Sequence, residues 1–159
     1  MYLCIHGNLP DLAGTQRPGR RPKGITMDTR FGFGTVVSTS FDETILNVTA
    51  ALKTEGFGVL TDIDVAATMK AKLDKDMPPY RILGACNPAL AYQAISAEPE
   101  MGLLLPCNVV VRAIDDTTTH ISFMDPEAVL QLVEQPGIEV LAANVKARLL
   151  RVMAAISTT

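Results

Sequence analysis

The stretch from Cys107 to Met124 constrains the fold more than any other part of the chain. Residues 107 to 114 and 118 to 124 are rich in Val, Ile and Thr, and Asp115-Asp116-Thr117 separates them, the pattern of a β-hairpin. A hairpin makes its two strands antiparallel neighbours, so a wholly parallel, doubly wound sheet is excluded. The remaining signals have to be fitted around that pair.

Upstream of the hairpin, strand-like and helix-like runs alternate. Residues 31 to 38, Phe-Gly-Phe-Gly-Thr-Val-Val-Ser, read as a first strand. Ser40 followed by Glu43 is a capping-box pattern, and Phe41, Ile45, Val48 and Leu52 recur at helical spacing, so a helix is expected over 41–55, ending at Gly56. A short strand over 57–62 comes next. Asp64 then caps a helix over 65–73, with Val65, Met69 and Leu73 as its apolar positions. Pro78-Pro79 stops any helix and sets an extended entry into a buried strand from Tyr80 to Ala85. Asn87-Pro88 is an N-cap with proline at the first helical position, opening a helix to about Ala97. Residues 99 to 105 read as a helical turn leading into Pro106. After the hairpin, Asp125-Pro126 repeats the cap-plus-proline signal for a helix over 126–134, which Pro136-Gly137 breaks. Ile138, Leu141, Val145, Leu149, Val152 and Ile156 line one face of a last helix. Mixed element order with a closing hairpin indicates an α+β fold: a small mixed or antiparallel sheet with helices packed on it, followed by C-terminal helices.

A chain of 159 residues with 48% hydrophobic content is expected to form one α+β domain over 27–159, with a sizeable core. The net charge of −3, the lack of a basic stripe and 5% aromatic content argue against a nucleic-acid partner. No apolar run approaches the roughly 18–20 residues that cross a bilayer, so a soluble protein without a membrane partner is expected. Three cysteines do not make a disulfide framework, and free thiols point to a reducing, cytoplasmic compartment.

Residues 1–26 differ from the rest. They are rich in Pro, Gly and Arg, lack helical or strand periodicity, and read as a flexible extension. Their basic cluster follows a short, weak apolar stretch, the reverse of a secretory signal. Met27 stands directly before the first strand and is a candidate start. Cys4 and His6 fall in the extension and are set aside as ligands.

Two Cys-Asn steps mark the candidate site. Cys86-Asn87 and Cys107-Asn108 each place a thiol and an amide at an element boundary inside apolar surroundings. Cys86 precedes a helix N-terminus, where amide dipoles favour thiolate and lower a thiol pKa; the plainer reading is a small core hydrophobe. Asn87 has a structural role as a cap. Asn108 interrupts an apolar run, and its amide is suited either to fixing loop geometry or to orienting a ligand. Arg81 points to the opposite strand face from Tyr80 and pairs with an anion if it faces a cleft, or else is a surface residue. A metal site of Cys86, Cys107 and His120 requires the fold to bring them together. Glu98 and Glu100 flank Pro99, where paired carboxylates are usually solvated. The sequence carries no Ser-His-Asp order, P-loop, dinucleotide fingerprint or HExxH, and it names no cofactor.

Gly56 through Asp64, Tyr80 through Pro88, and Glu98 through Val111 resemble the prokaryotic family known as domain of unknown function 302, over roughly residues 31 to 156. The resemblance implies a compact α+β fold, commonly a homodimer, and brings no catalytic residues. A mean hydropathy of +0.23 also favours self-association. The expected function is a non-enzymatic homodimeric module that binds a small ligand or metal near Arg81, Cys86, Asn87, Cys107 and Asn108. The alternatives are a thiol-dependent enzyme or redox sensor using Cys86, and a purely structural dimer module.

Overall fold

The structure is a computed structural model that describes residues 29–158. The expectations for residues 1–26 and Met27, with Cys4 and His6, lie outside the described residues. Five strands form one antiparallel sheet: β1 (Gly32–Val37), β2 (Gly58–Asp64), β3 (Tyr80–Cys86), β4 (Cys107–Asp115) and β5 (Thr118–Met124). Their spatial order is β1-β5-β4-β3-β2, so the hairpin β4–β5 lies inside the sheet and β1 and β2 form its edges. The choice left open between mixed and antiparallel resolves to antiparallel throughout.

The helices are α1 (Phe41–Thr54), α2 (Val65–Leu73), α3 (Pro88–Ala97), α4 (Pro126–Leu130) and α5 (Ile138–Ser157), with a 3-10 helix over Pro99–Leu104. Their starts follow the capping chemistry. The side chains of Ser40, Asp64, Asn87 and Asp125 accept hydrogen bonds from the amides of Glu43, Ala67, Leu90 and Glu127, satisfying donors that the first turn leaves free. Helix α4 is shorter than the expected 126–134. Its last turn tightens into i,i+3 bonds, Leu132 N–H to Val129 and Val133 N–H to Leu130, and Pro136 pushes Gln135 away from helical geometry.

The main core lies between one sheet face and helices α1 and α5. Val48 and Leu52 of α1 and Leu149 and Val152 of α5 meet Leu83, Val109, Val111, Ile121 and Phe123, all almost fully buried. Each such side chain contributes about 1.5–3 kcal/mol relative to exposure. Phe33 stacks on Phe123 with ring centroids 5.7 Å apart, joining the edge strand to the hairpin. Charge pairing fixes α5 at two heights. Arg151 reaches both carboxylate oxygens of Glu55 at 3.0 and 2.7 Å, and Lys146 bridges Asp125 and Glu127 at 2.8 and 2.7 Å.

A second, smaller cluster (Ala94, Met101, Leu130, Ile138 and Ala142) joins α3, the 3-10 helix, α4 and the start of α5. It covers the end of the sheet where β3 and β5 finish and β4 begins. By contrast α2 buries none of its residues, and Leu60, Ile63 and Leu73 on the β2–α2 arm are 66%, 49% and 62% exposed.

Candidate functional site

At that covered end of the sheet the two Cys-Asn steps meet. Strand β3 runs into the site and β4 leaves it, with Ala85 opposite Cys107 in the ladder, so Cys86 and Cys107 are neighbours on adjacent strands. Both line one apolar pocket, closed by Phe57 from the β2 side, Leu90 and Ala91 of α3, Met101 and Leu104 of the 3-10 helix, and Val145 of α5. The cleft measures about 470 Å³ to its open mouth, but its interior holds only about 30 Å³. That interior is large enough to admit a water, but the walls offer few polar partners to hold one there.

Asn87 also lines the pocket, and its oxygen accepts the Leu90 N–H at 3.3 Å, so it caps α3 as the sequence implied. The amide end of the same side chain occupies the space beside Gly56. A Cβ at Gly56 would lie 2.9 Å from Asn87 Nδ2, and Gly56 has φ +82°, a conformation L side chains rarely adopt. One asparagine therefore caps α3 and leaves room only for glycine at the turn after α1.

The thiols run opposite to the activation expected of a helix N-terminus. Cys86 precedes the cap, is half-buried, and burial pushes its pKa up from the ordinary 9.0. Cys107 is buried, and burial first, then the neighbouring Cys86, raise its pKa to about 11. Desolvation disfavours the charged thiolate, and no cation lines the pocket to offset it. Both thiols are free.

The other candidates lie elsewhere. Arg81 stands five positions back along β3, ion-paired at the edge strand with Asp62 at 2.7 Å and Asp64 at 3.5 Å. Asn108 is exposed opposite Gly84, one residue past Cys107 and therefore on the other sheet face. His120 faces Arg112 across the ladder, far along β4 from Cys107, and its Nδ1 lies 3.3 Å from Ser122 Oγ. Cys107, Val109 and Val111 share the core face, so His120 sits on the opposite one and a Cys86–Cys107–His120 site does not form. Among the described residues no group of three or more His, Cys, Asp or Glu side chains is arranged to hold a metal ion. Glu98 has a structural role: its carboxylate oxygen accepts the Glu100 N–H at 3.0 Å and caps the 3-10 helix.

Two sulfur-bearing lining residues were not singled out from sequence: Met101 of the 3-10 helix, 1% exposed, and Met124 at the end of β5. Methionines in apolar runs carry no spacing signal. The available hint was that each lies within two residues of a proline at an element boundary, Pro99 and Pro126.

Comparisons with known proteins agree with this architecture. A comparison with curated proteins gives no match. A solved structure described as an uncharacterized conserved protein DUF302 from Bacillus stearothermophilus is 31% identical, with a TM-score of 0.73, covering 79% of this chain and 98% of that one. The family model for domain of unknown function DUF302 matches residues 33–156, which contain the whole sheet but its first residue and all of the pocket. The chain belongs to the DUF302 family.

Proposed function

We propose that this chain is a non-enzymatic module that binds a small ligand in the pocket under Cys86 and Cys107, acting as a homodimer in the cytoplasm. One observation carries the ligand reading: Cys86, Asn87 and Cys107, singled out from sequence, line the same apolar cleft. The raised thiol pKa values speak against nucleophilic chemistry at neutral pH, which needs a ready supply of thiolate. Self-association has support from the β2–α2 arm, where the large apolar side chains of Leu60, Ile63 and Leu73 are each left exposed. Free thiols fit a reducing compartment.

Native mass spectrometry of protein purified from its source without added metal tests the reading. The expected spectrum is a dimer that retains a small adduct, lost when Ala91→Phe fills the pocket. A monomer with no adduct, unchanged by Ala91→Phe, would refute it.

A further inference from the structure

Sulfur is concentrated in this pocket. Cys86, Cys107, Met101 and Met124 are four of its 16 lining residues, whereas the chain as a whole has 3 Cys and 7 Met among 159 residues. The four come from four separate elements that meet at one end of the sheet: the end of β3, the start of β4, the 3-10 helix and the end of β5. The remaining lining is almost entirely hydrocarbon, with Asn87 the one polar side chain and no carboxylate or imidazole.

We propose that the ligand is a single soft, monovalent d10 cation, copper(I) in a cell, held by the thiols of Cys86 and Cys107 with the thioethers of Met101 and Met124. This deepens the ligand-binding reading above and rests on it. Two observations converge on this ligand. First, thiolate and thioether donors together select copper(I), while hard cations need the oxygen donors this pocket lacks. Second, the interior of about 30 Å³ suits one ion and is far below the roughly 300–1,000 Å³ of pockets for organic ligands. Half-buried Cys86 provides the route in from the surface.

The test is anaerobic titration of the full chain, carrying Cys4→Ser so that only the two pocket thiols are present, with copper(I) against a chromophoric copper(I) chelator. The expected result is one ion withdrawn per chain, with X-ray absorption reporting sulfur as the only neighbour. Cys86→Ser and Cys107→Ser should each weaken binding by at least the roughly 10–100-fold that even outer-sphere partners are worth. Met101→Leu and Met124→Leu, which keep the pocket volume and so the fold, should weaken it measurably without changing the melting curve. No copper(I) withdrawn by folded protein, or uptake unchanged in all four variants, would overturn the inference. If copper(I) fails but the native mass spectrum still shows an adduct that Ala91→Phe removes, the soft-cation inference falls and the ligand-binding reading stands. If both are absent, both fall.

Discussion

Alkylation of the two described thiols should be slow, and the structure sets how slow. Only thiolate reacts, so the rate at a given pH follows the thiolate fraction. A thiol at the ordinary 9.0 is about 10% ionised at pH 8, whereas Cys107 at about 11 is about 0.1% ionised, a deficit of about 100-fold before steric protection is counted. Cys86 is shifted the same way by its own burial and should also lag the unfolded reference. The assay is iodoacetamide labelling at fixed intervals from pH 7 to 11, read peptide by peptide by mass spectrometry, with denaturant-unfolded chain as the reference. The Cys107 rate should climb tenfold per pH unit through pH 10 without levelling. The same shift links to stability. The folded-state value lies above the unfolded one, so the neutral thiol's contribution is complete below about pH 9 and is lost as pH rises toward 11. Two units correspond to about 3 kcal/mol at full ionisation, and Cys107→Val should remove that alkaline loss. A Cys107 rate that plateaus at or below pH 9 would refute the burial argument and restore the reactive-thiol reading.

Three further outcomes can be checked by denaturant or thermal melts. Gly56→Ala places a side chain at φ +82° against Asn87 Nδ2 and should cost about 1–2 kcal/mol or more; an unchanged midpoint would show that the turn relaxes freely. Leu149→Ala, at a site 1% exposed between α5 and the sheet, should cost about 2–5 kcal/mol, and a loss under 1 kcal/mol would place the core elsewhere. Glu55 is held below its ordinary 4.5, first by its hydrogen bond from Arg151 and then by the charges of Arg151 and Arg148, so its contribution is present above pH 4.5 and fades as pH falls below it. Arg151→Met should flatten that acid limb, and superimposable pH profiles for the two proteins would count against the pair.

The fold was readable where local chemistry decides it. Ser40, Asp64, Asn87 and Asp125 announce helix starts because a short polar side chain before an apolar repeat has few other uses, and all four cap as read. The extent of α4 was not readable, because Val129, Leu130, Leu132 and Val133 continue an apolar pattern past its end and only the tightening into i,i+3 bonds before Pro136 ends it. At the site, Cys86, Asn87 and Cys107 were visible as polar interruptions of apolar runs. Arg81 and Asn108 interrupt such runs equally well, yet strand register sends Arg81 to the carboxylates of β2 and Asn108 to the far face. Register is a tertiary property, and a one-residue offset reverses the face without altering composition. Met101 and Met124 were invisible for the complementary reason, being hydrophobic residues whose shared pocket exists only after folding.

The location of the pocket follows from how β3 and β4 are joined. Antiparallel neighbours need a loop of only two to five residues, yet 20 residues, Asn87 to Pro106, separate these two strands. A connection that leaves and re-enters at one end of adjacent strands has to spend its length over that end. It does so as α3 and the 3-10 helix, whose Ala94 and Met101 are buried against α4 and α5. The excursion is thus both the cover of the sheet end and the wall of the pocket, and Cys86 and Cys107 flank it because they are its two hinges to the sheet. Met101 answers to both roles: truncating it to Ala opens a cavity in the smaller cluster and costs about 2–5 kcal/mol, whereas Leu preserves the volume and removes only the sulfur. Comparing the two substitutions at that one position separates what the segment does for the fold from what it does for a ligand.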